Sequence, residues 1–267
     1  MRVWWRVLQT SVSERLMYRG DFAFGTLMRF LPLVTQIFLW SAVFSGDSER
    51  RINGYTYSEM VAYFLLTMVS RAFSSMPGLS NAISAEIRDG TLKKYLVQPV
   101  DLLGFYFFSR VAHKAVYYLV ALGPYVLMFY LFREFFTTPI GWEMLVPFVL
   151  SLALAFLLGF LMESLVGLVG FWLLETSSIS FIFMMLTYFL SGHMLPLDWF
   201  PEPLSTWVQY LPFRYLAHFP CAMLLGKYTM TQVWMEIGSG AAWVLGLWWL
   251  NRFAFQRGLQ RYGAYGG

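Results

Sequence analysis

Between Met144 and Leu174 the chain reads MLVPFVLSLALAFLLGFLMESLVGLVGFWLL, with Glu163 as its one charge. About 20 apolar residues are enough to cross a bilayer as a helix. Similar runs recur along the sequence, separated by short polar stretches. Only 13% of the 267 residues are charged and 20% are aromatic, whereas soluble domains carry about 25% charged residues. The expected fold class is therefore an all-α integral membrane protein. Its length leaves room for about six spans and little else.

The spans fall at about 22–44, 59–80, 103–132, 144–174, 178–195 and 232–255. Pro32 should kink the first. The lower part of the second, AFSSMPGLSN, is rich in small and helix-breaking residues and is expected to bend or unwind. The third is longer than one crossing requires. Asn53-Gly54 is a turn signal. Residues 1–20 form an amphipathic stretch: Trp4, Leu8, Val12 and Leu16 recur every four residues, with Arg2, Arg6, Gln9 and Ser13 on the other face. That pattern suits a helix in the lipid headgroup region, and equally a helix packed on a partner or on its own bundle. Arg6, Glu14 and Arg15 exclude a signal peptide there. Residues 196–230 are divided by Pro196, Pro201, Pro203, Pro212 and Pro220 into pieces too short to span. They are expected to form two short re-entrant helices.

Six spans put both termini on one side, and loop charge chooses the side. One side collects twelve cations: Arg2, Arg6, Arg15, Arg19, Arg88, Lys93, Lys94, Arg110, Lys114, Arg252, Arg257 and Arg261. The other has five: Arg50, Arg51, Arg133, Arg214 and Lys227. Both termini are thus expected in the cytoplasm, with the 196–230 segment outside.

The longest polar interruption is Ser84 to Asp101, SAEIRDGTLKKYLVQPVD. Ile83, Ile87, Leu92 and Leu96 punctuate it at roughly helical spacing. Gly90-Thr91 can break one helix and cap the next, and Pro99 ends the second. It reads either as a surface loop with a helical turn or as a short docking helix that takes force from a soluble partner.

No phosphate loop, dinucleotide glycine pattern or HExxH is present. His113, His193 and His218 are scattered, and the single Cys221 allows no disulfide within the chain. Neither a catalytic group nor a cofactor or metal site is expected in this chain, and nothing suggests nucleic acid. Charges inside the spans carry more information. Arg29 and Arg71 fall on the inner half of the first two spans and Glu163 near the middle of the fourth. An unpaired charge in lipid costs at least about 2.5–3.5 kcal/mol. Glu163 shares a stripe with Gly159, Gly167 and Gly170, which points it at close helix packing. Pairing with Arg71 or Arg29 is expected, either as a purely structural ion pair or at an inward-facing cavity; Arg29 can instead snorkel to the inner headgroups. Gly238, Ala242 and Gly246 place small residues on the last span, a mark of helix or subunit contact. Tryptophans at the span ends serve as interfacial anchors.

Taken together, the run Glu86-Ile87-Arg88-Asp89-Gly90-Thr91-Leu92, followed by Leu96 and Pro99, resembles the E-x-x-x-G-T-L…L…P coupling helix of the permease subunit of bacterial type-2 ABC exporters. The N-terminal amphipathic helix, the six spans and the Leu195-Pro196…Pro203…Leu211-Pro212-Phe213 pattern fit the same family. The resemblance covers essentially the whole chain as a single domain. It implies a homodimer, or a heterodimer with a sister permease, set in the bacterial inner membrane among its lipids. Two separate ATPase subunits would bind ATP and Mg and dock on Glu86, Arg88, Asp89, Lys93 and Lys94. Spans one, two and five would line the dimer interface and substrate path, and the re-entrant helices would close the outer side. Two other classes stay open: a membrane-embedded lipid-modifying enzyme, which needs an interfacial polar cluster, and an ion-coupled carrier, which is usually built from inverted repeats.

Overall fold

The computed structural model describes residues 2–16, 25, 28, 31–45, 50–137, 141–173 and 175–262. Among these, every regular element is helical apart from one isolated bridge between Ile52 and Tyr55. That bridge closes the turn signalled by Asn53 and Gly54, whose φ angles of 46° and 83° suit a tight hairpin. Two helices are long and apolar enough to cross a membrane, Leu102–Leu131 and Trp142–Phe171.

Helix α1 spans Arg2–Leu16 and α2 spans Leu31–Val43. Pro32 is the second described residue of α2, so the kink expected there turns on residues that lie outside the described ones. The expected start of the first span, and Arg29 with it, lie outside the described residues. Helix α3, Tyr57–Ser74, opens on a capping box. Glu59 N–H donates to Thr56 Oγ1 at 3.2 Å and Thr56 N–H to Glu59 Oε2 at 3.0 Å, so two orphan donors are satisfied at once. It ends where the expected weak point lies, since Ser75 is extended and Gly78 has φ 70°. Lys114 Nζ donates to the carbonyls of Ala72 and, at 2.6 Å, Ser75, and so satisfies acceptors that the broken helix exposes.

Beyond the break come α4, Leu79–Arg88, and α5, Lys93–Val97. Helix α6, Leu102–Leu131, starts on Asp101, whose Oδ2 accepts the Gly104 N–H at 2.9 Å. Helix α1 packs along α6, with Trp4 stacked on Phe108 at 5.1 Å and pressed against Gly104. The amphipathic stretch therefore packs on the chain's own bundle.

Helix α7, Leu145–Leu168, is the centre of the molecule, and the glycine stripe explains how. A Cβ on Gly159 would overlap the Ser74 carbonyl; on Gly167 it would meet Ser80 and Ile83, and on Gly170, just past α7, Ser84. These glycines let the foot of α3 and the whole of α4 approach α7 closely. After α8, Ser177–Leu190, the prolines divide the chain as expected. Short helices α9, Leu204–Gln209, and α10, His218–Leu224, are linked by a 3-10 turn over Pro212–Leu216. Helix α10 is buried throughout, lodged against α3 and α7.

The last helix, α11, runs over Met230–Arg261 from a Thr229/Gln232 capping box. It packs on α7 through buried Asn251. That amide donates to the carbonyls of Leu161 at 2.9 Å and Leu247 at 2.8 Å, and accepts Ser164 Oγ at 2.8 Å. Its small-residue stripe behaves otherwise: a Cβ on Gly238 or Gly246 meets nothing within 4 Å, so that face is turned away from the chain's own helices.

Candidate functional site

The polar stretch after the second span forms a bent element whose start lies upstream of Ser84. Leu79, Ile83 and Ile87 line the buried side of α4 and hold it on α7. Gly90, at φ 72°, reverses the chain at the end of α4, with its N–H on the Ile87 carbonyl at 3.4 Å. A left-handed residue here ends the helix and favours glycine. Thr91 does not cap α5 as expected. Leu92 takes the cap position without a side-chain bond, and the Thr91 hydroxyl reaches back to the Glu86 carboxylate. The turn also takes α5 out of phase with α4. Leu92 is fully buried, whereas Leu96, in apparent register with Ile83 and Ile87, is 49% exposed and Val97 is 85% exposed.

Glu86 ties the two limbs together. Its carboxylate accepts from Thr91, from Lys94 Nζ at 2.8 Å, and from the phenols of Tyr95 and Tyr106 at 3.4 Å each. Partial burial pushes this carboxyl up, but the bonds from Lys94 and Thr91 and the Lys94 charge outweigh that and hold it below the ordinary glutamate value. Burial and the Glu86 charge together raise the Tyr95 phenol, which stays a donor. Arg88 and Asp89 pair with each other at 3.1 Å in the open, and Lys93 is exposed. The expected docking residues thus separate into an inward group, Glu86, Ile87 and Leu92, and an outward group, Arg88, Asp89 and Lys93. Lys94 bridges the two.

Above this element lie two cavities, of about 900 and 450 Å³. The larger is walled by the foot of α3, by α7 and by α8; the smaller by α2, α3 and α6. Arg71, Ser75, Pro77, Tyr188 and His193 belong to both. Arg71 and Glu163 do share the larger cavity, yet among the described residues no ion pair joins them. Arg71 stacks on the Tyr188 ring, 5.5 Å from its centroid, while the Glu163 carboxyl faces Ser80 and the charge of Arg110. The sequence does not single out Tyr188; it shows His193 only as one of three scattered histidines and Lys114 only as one of the inner-side cations. Ser177, Ser180 and Thr187 on α8 are spaced to share the face that lines the larger cavity, which was the available signal.

The end of the bundle where α3 begins is held by polar bonds. Lys227 Nζ reaches Glu59 Oε2 and the Gly54 carbonyl, both at 3.0 Å. Tyr55 donates to Asp198 at 2.9 Å, and Arg214 Nη2 lies 3.0 Å from Glu236 Oε1. Asp198 faces His218 at 3.8 Å rather than its sequence neighbour His193. Cys221 is a buried packing residue beside Ser70.

No curated relative matches the chain. The model of one family, described as ABC-2 family transporter protein, matches residues 30–266, from the first span to the last residues of the chain. That match covers the break after α3, the Glu86 element, both cavities and the proline-divided segment. The chain is a membrane protein of the ABC-2 transporter family.

Proposed function

We propose that this chain is the transmembrane subunit of an ATP-driven exporter, working as a homo- or heterodimer in the bacterial inner membrane with both termini in the cytoplasm. The six apolar stretches form its spans. ATP and Mg are bound by a separate ATPase subunit, which docks on the tip formed by Arg88, Asp89, Lys93, Leu96 and Val97. The observation that carries this is the division within that element. An apolar pair, Leu96 and Val97, stands exposed among charges, and directly behind it Glu86 and Leu92 fasten the tip to the bundle. Exposed apolar residues ringed by charge are the usual make-up of a protein contact. Closure of the ATPases would push the tip, α4 would carry the push to α7, and the cavities at the foot of α3 would form the substrate path. The outer ion pairs would keep the far end shut.

The test is co-purification with a P-loop ATPase. Tagged wild-type protein should retain it, Val97→Asp should lose it, and Trp142→Asp, far from the tip, should not. Retention in Val97→Asp, or transport by the purified chain without ATP, would overturn the reading.

A further inference from the structure

Arg71 stands where the two cavities meet, and its charge has no carboxylate partner among the described residues. One face of the guanidinium rests on Tyr188. The acidic side chain that lines the larger cavity, Glu163, is answered by Ser80 and Arg110. Beside Arg71 the His193 ring keeps Nδ1 on Ser191, while its buried Nε2 has no hydrogen-bond partner among the described residues. Thr187 Oγ1, on the same wall, is also buried without one. Lys114 adds a second positive charge to the smaller cavity. Unsatisfied polar atoms and an unpaired cation facing a cavity are costly inside a membrane unless something binds there. The smaller cavity then continues along Leu33, Phe64 and Met68, an apolar surface.

We propose that Arg71 anchors the anionic head of an amphiphile, with His193 and Thr187 as neutral partners and the apolar tail lying along Leu33, Phe64 and Met68. A guanidinium suits this task because its planar fork donates two parallel bonds to a phosphate, sulfate or carboxylate. That this amphiphile is the transported substrate rests on the transport reading, but binding itself needs no ATPase and is measured without one.

The full chain is placed in phosphatidylcholine nanodiscs and photolabelled with three probes of equal chain length: a long-chain alkyl phosphate, the alkyl phosphocholine and the alkyl trimethylammonium. Mass spectrometry maps the labelled segments. The phosphate should label residues 71–75 and 187–193 at about tenfold lower concentration than the other two. Arg71→Gln should abolish that preference and Arg71→Lys keep most of it. Equal labelling by all three probes, or a preference that survives Arg71→Gln, overturns the proposal. If Arg71→Gln does not fold, the wild-type map and Arg71→Lys decide. Wild-type labelling without phosphate preference at these segments, or loss of the preference in Arg71→Lys, refutes it. Phosphatidylglycerol added to the nanodisc separates the sources. Blocked labelling identifies a resident membrane lipid; persistent labelling identifies a single-chain anion; both fall within the proposed chemistry. Failure of ATPase co-purification leaves this readout unchanged, and loss of phosphate preference leaves co-purification unchanged.

Discussion

Lys94 Nζ lies 2.8 Å from Glu86 Oε1 across the Gly90 turn, so that a residue of α5 is fixed to a residue of α4 by charge as well as by chain. Glu86 is mostly shielded and Lys94 about half exposed, which sets the scale of the effect. An exposed ion pair alone contributes about 0–1 kcal/mol. Glu86 also serves Thr91, Tyr95 and Tyr106, and hydrogen bonds to a charged group contribute about 1.5–3 kcal/mol. Glu86→Ala should therefore lower stability by about 1–3 kcal/mol, seen as an earlier thermal midpoint in detergent, whereas Arg88→Ala should change it by less than about 0.5 kcal/mol.

The same carboxylate gives a pH dependence of defined sign. Its folded value is depressed, so its contribution is fully present above the unfolded glutamate value of about 4.3 and is lost as pH falls through the lower folded value. Melting curves at falling pH should show wild type losing stability faster than Glu86→Gln, with the two converging in acid. Parallel curves would mean that Glu86 is not held as the geometry has it.

Gly159 separates packing from helix propensity. Alanine is the better helix former by about 1 kcal/mol, but its methyl would sit on the Ser74 carbonyl oxygen. Overpacking costs about 1–3 kcal/mol, so Gly159→Ala should destabilise. Gly238→Ala, in open space, should be neutral or slightly stabilising in the isolated chain. A destabilised Gly238→Ala in the intact complex, beside a neutral one in the monomer, would locate a subunit contact on that face of α11.

Asn251 fastens α11 to α7 with two hydrogen bonds, to the Leu161 carbonyl and from the Ser164 hydroxyl, and makes a third within α11 to Leu247. Polar contacts between membrane helices average about 0.6 kcal/mol and reach about 1.7. Asn251→Leu removes both bonds between the helices, to the Leu161 carbonyl and from Ser164, and should cost near the upper value. Ser164→Ala removes one bond and should cost near the mean. Unfolding in mixed micelles would rank them, and a reversed order would contradict the buried network.

Arg71→Gln and Glu163→Gln should be additive within about 0.3–0.5 kcal/mol, because the two side chains share a cavity but not a bond. A coupling above about 1 kcal/mol in a double-mutant cycle would restore the ion pair that their positions in the sequence suggest.

Helix class and most element positions were legible in the sequence because apolar runs have one solution in lipid. The proline spacing foretold the short pieces of 196–230, and the glycine stripe around Glu163 foretold the close approach of α7. What misled was phase. Leu96 looks continuous with Ile83 and Ile87 only if the helix runs through Gly90, and one left-handed residue sets the last turn on a different axis. Charge pairing misled for a related reason. Arg71 and Glu163 are the conspicuous intramembrane charges, yet each found its partner among residues that spacing does not flag, Tyr188 for one and Ser80 for the other. The fastening of Glu86 by Tyr95 and Tyr106 depends on two helices meeting, which no local pattern records.

The break at Ser75–Gly78 has a mechanical consequence. Ten residues of α4 make a rigid arm about 15 Å long. It is clamped along its length by Ile83 against Gly167 and Ser84 against Gly170, and the Glu86–Lys94 stay stops the tip from folding. A load on Val97 therefore has little compliance to dissipate into before it reaches Pro77 and Gly78. Displacement would be taken up there, beside Ser75, Lys114 and Arg71, where the two cavities share a wall.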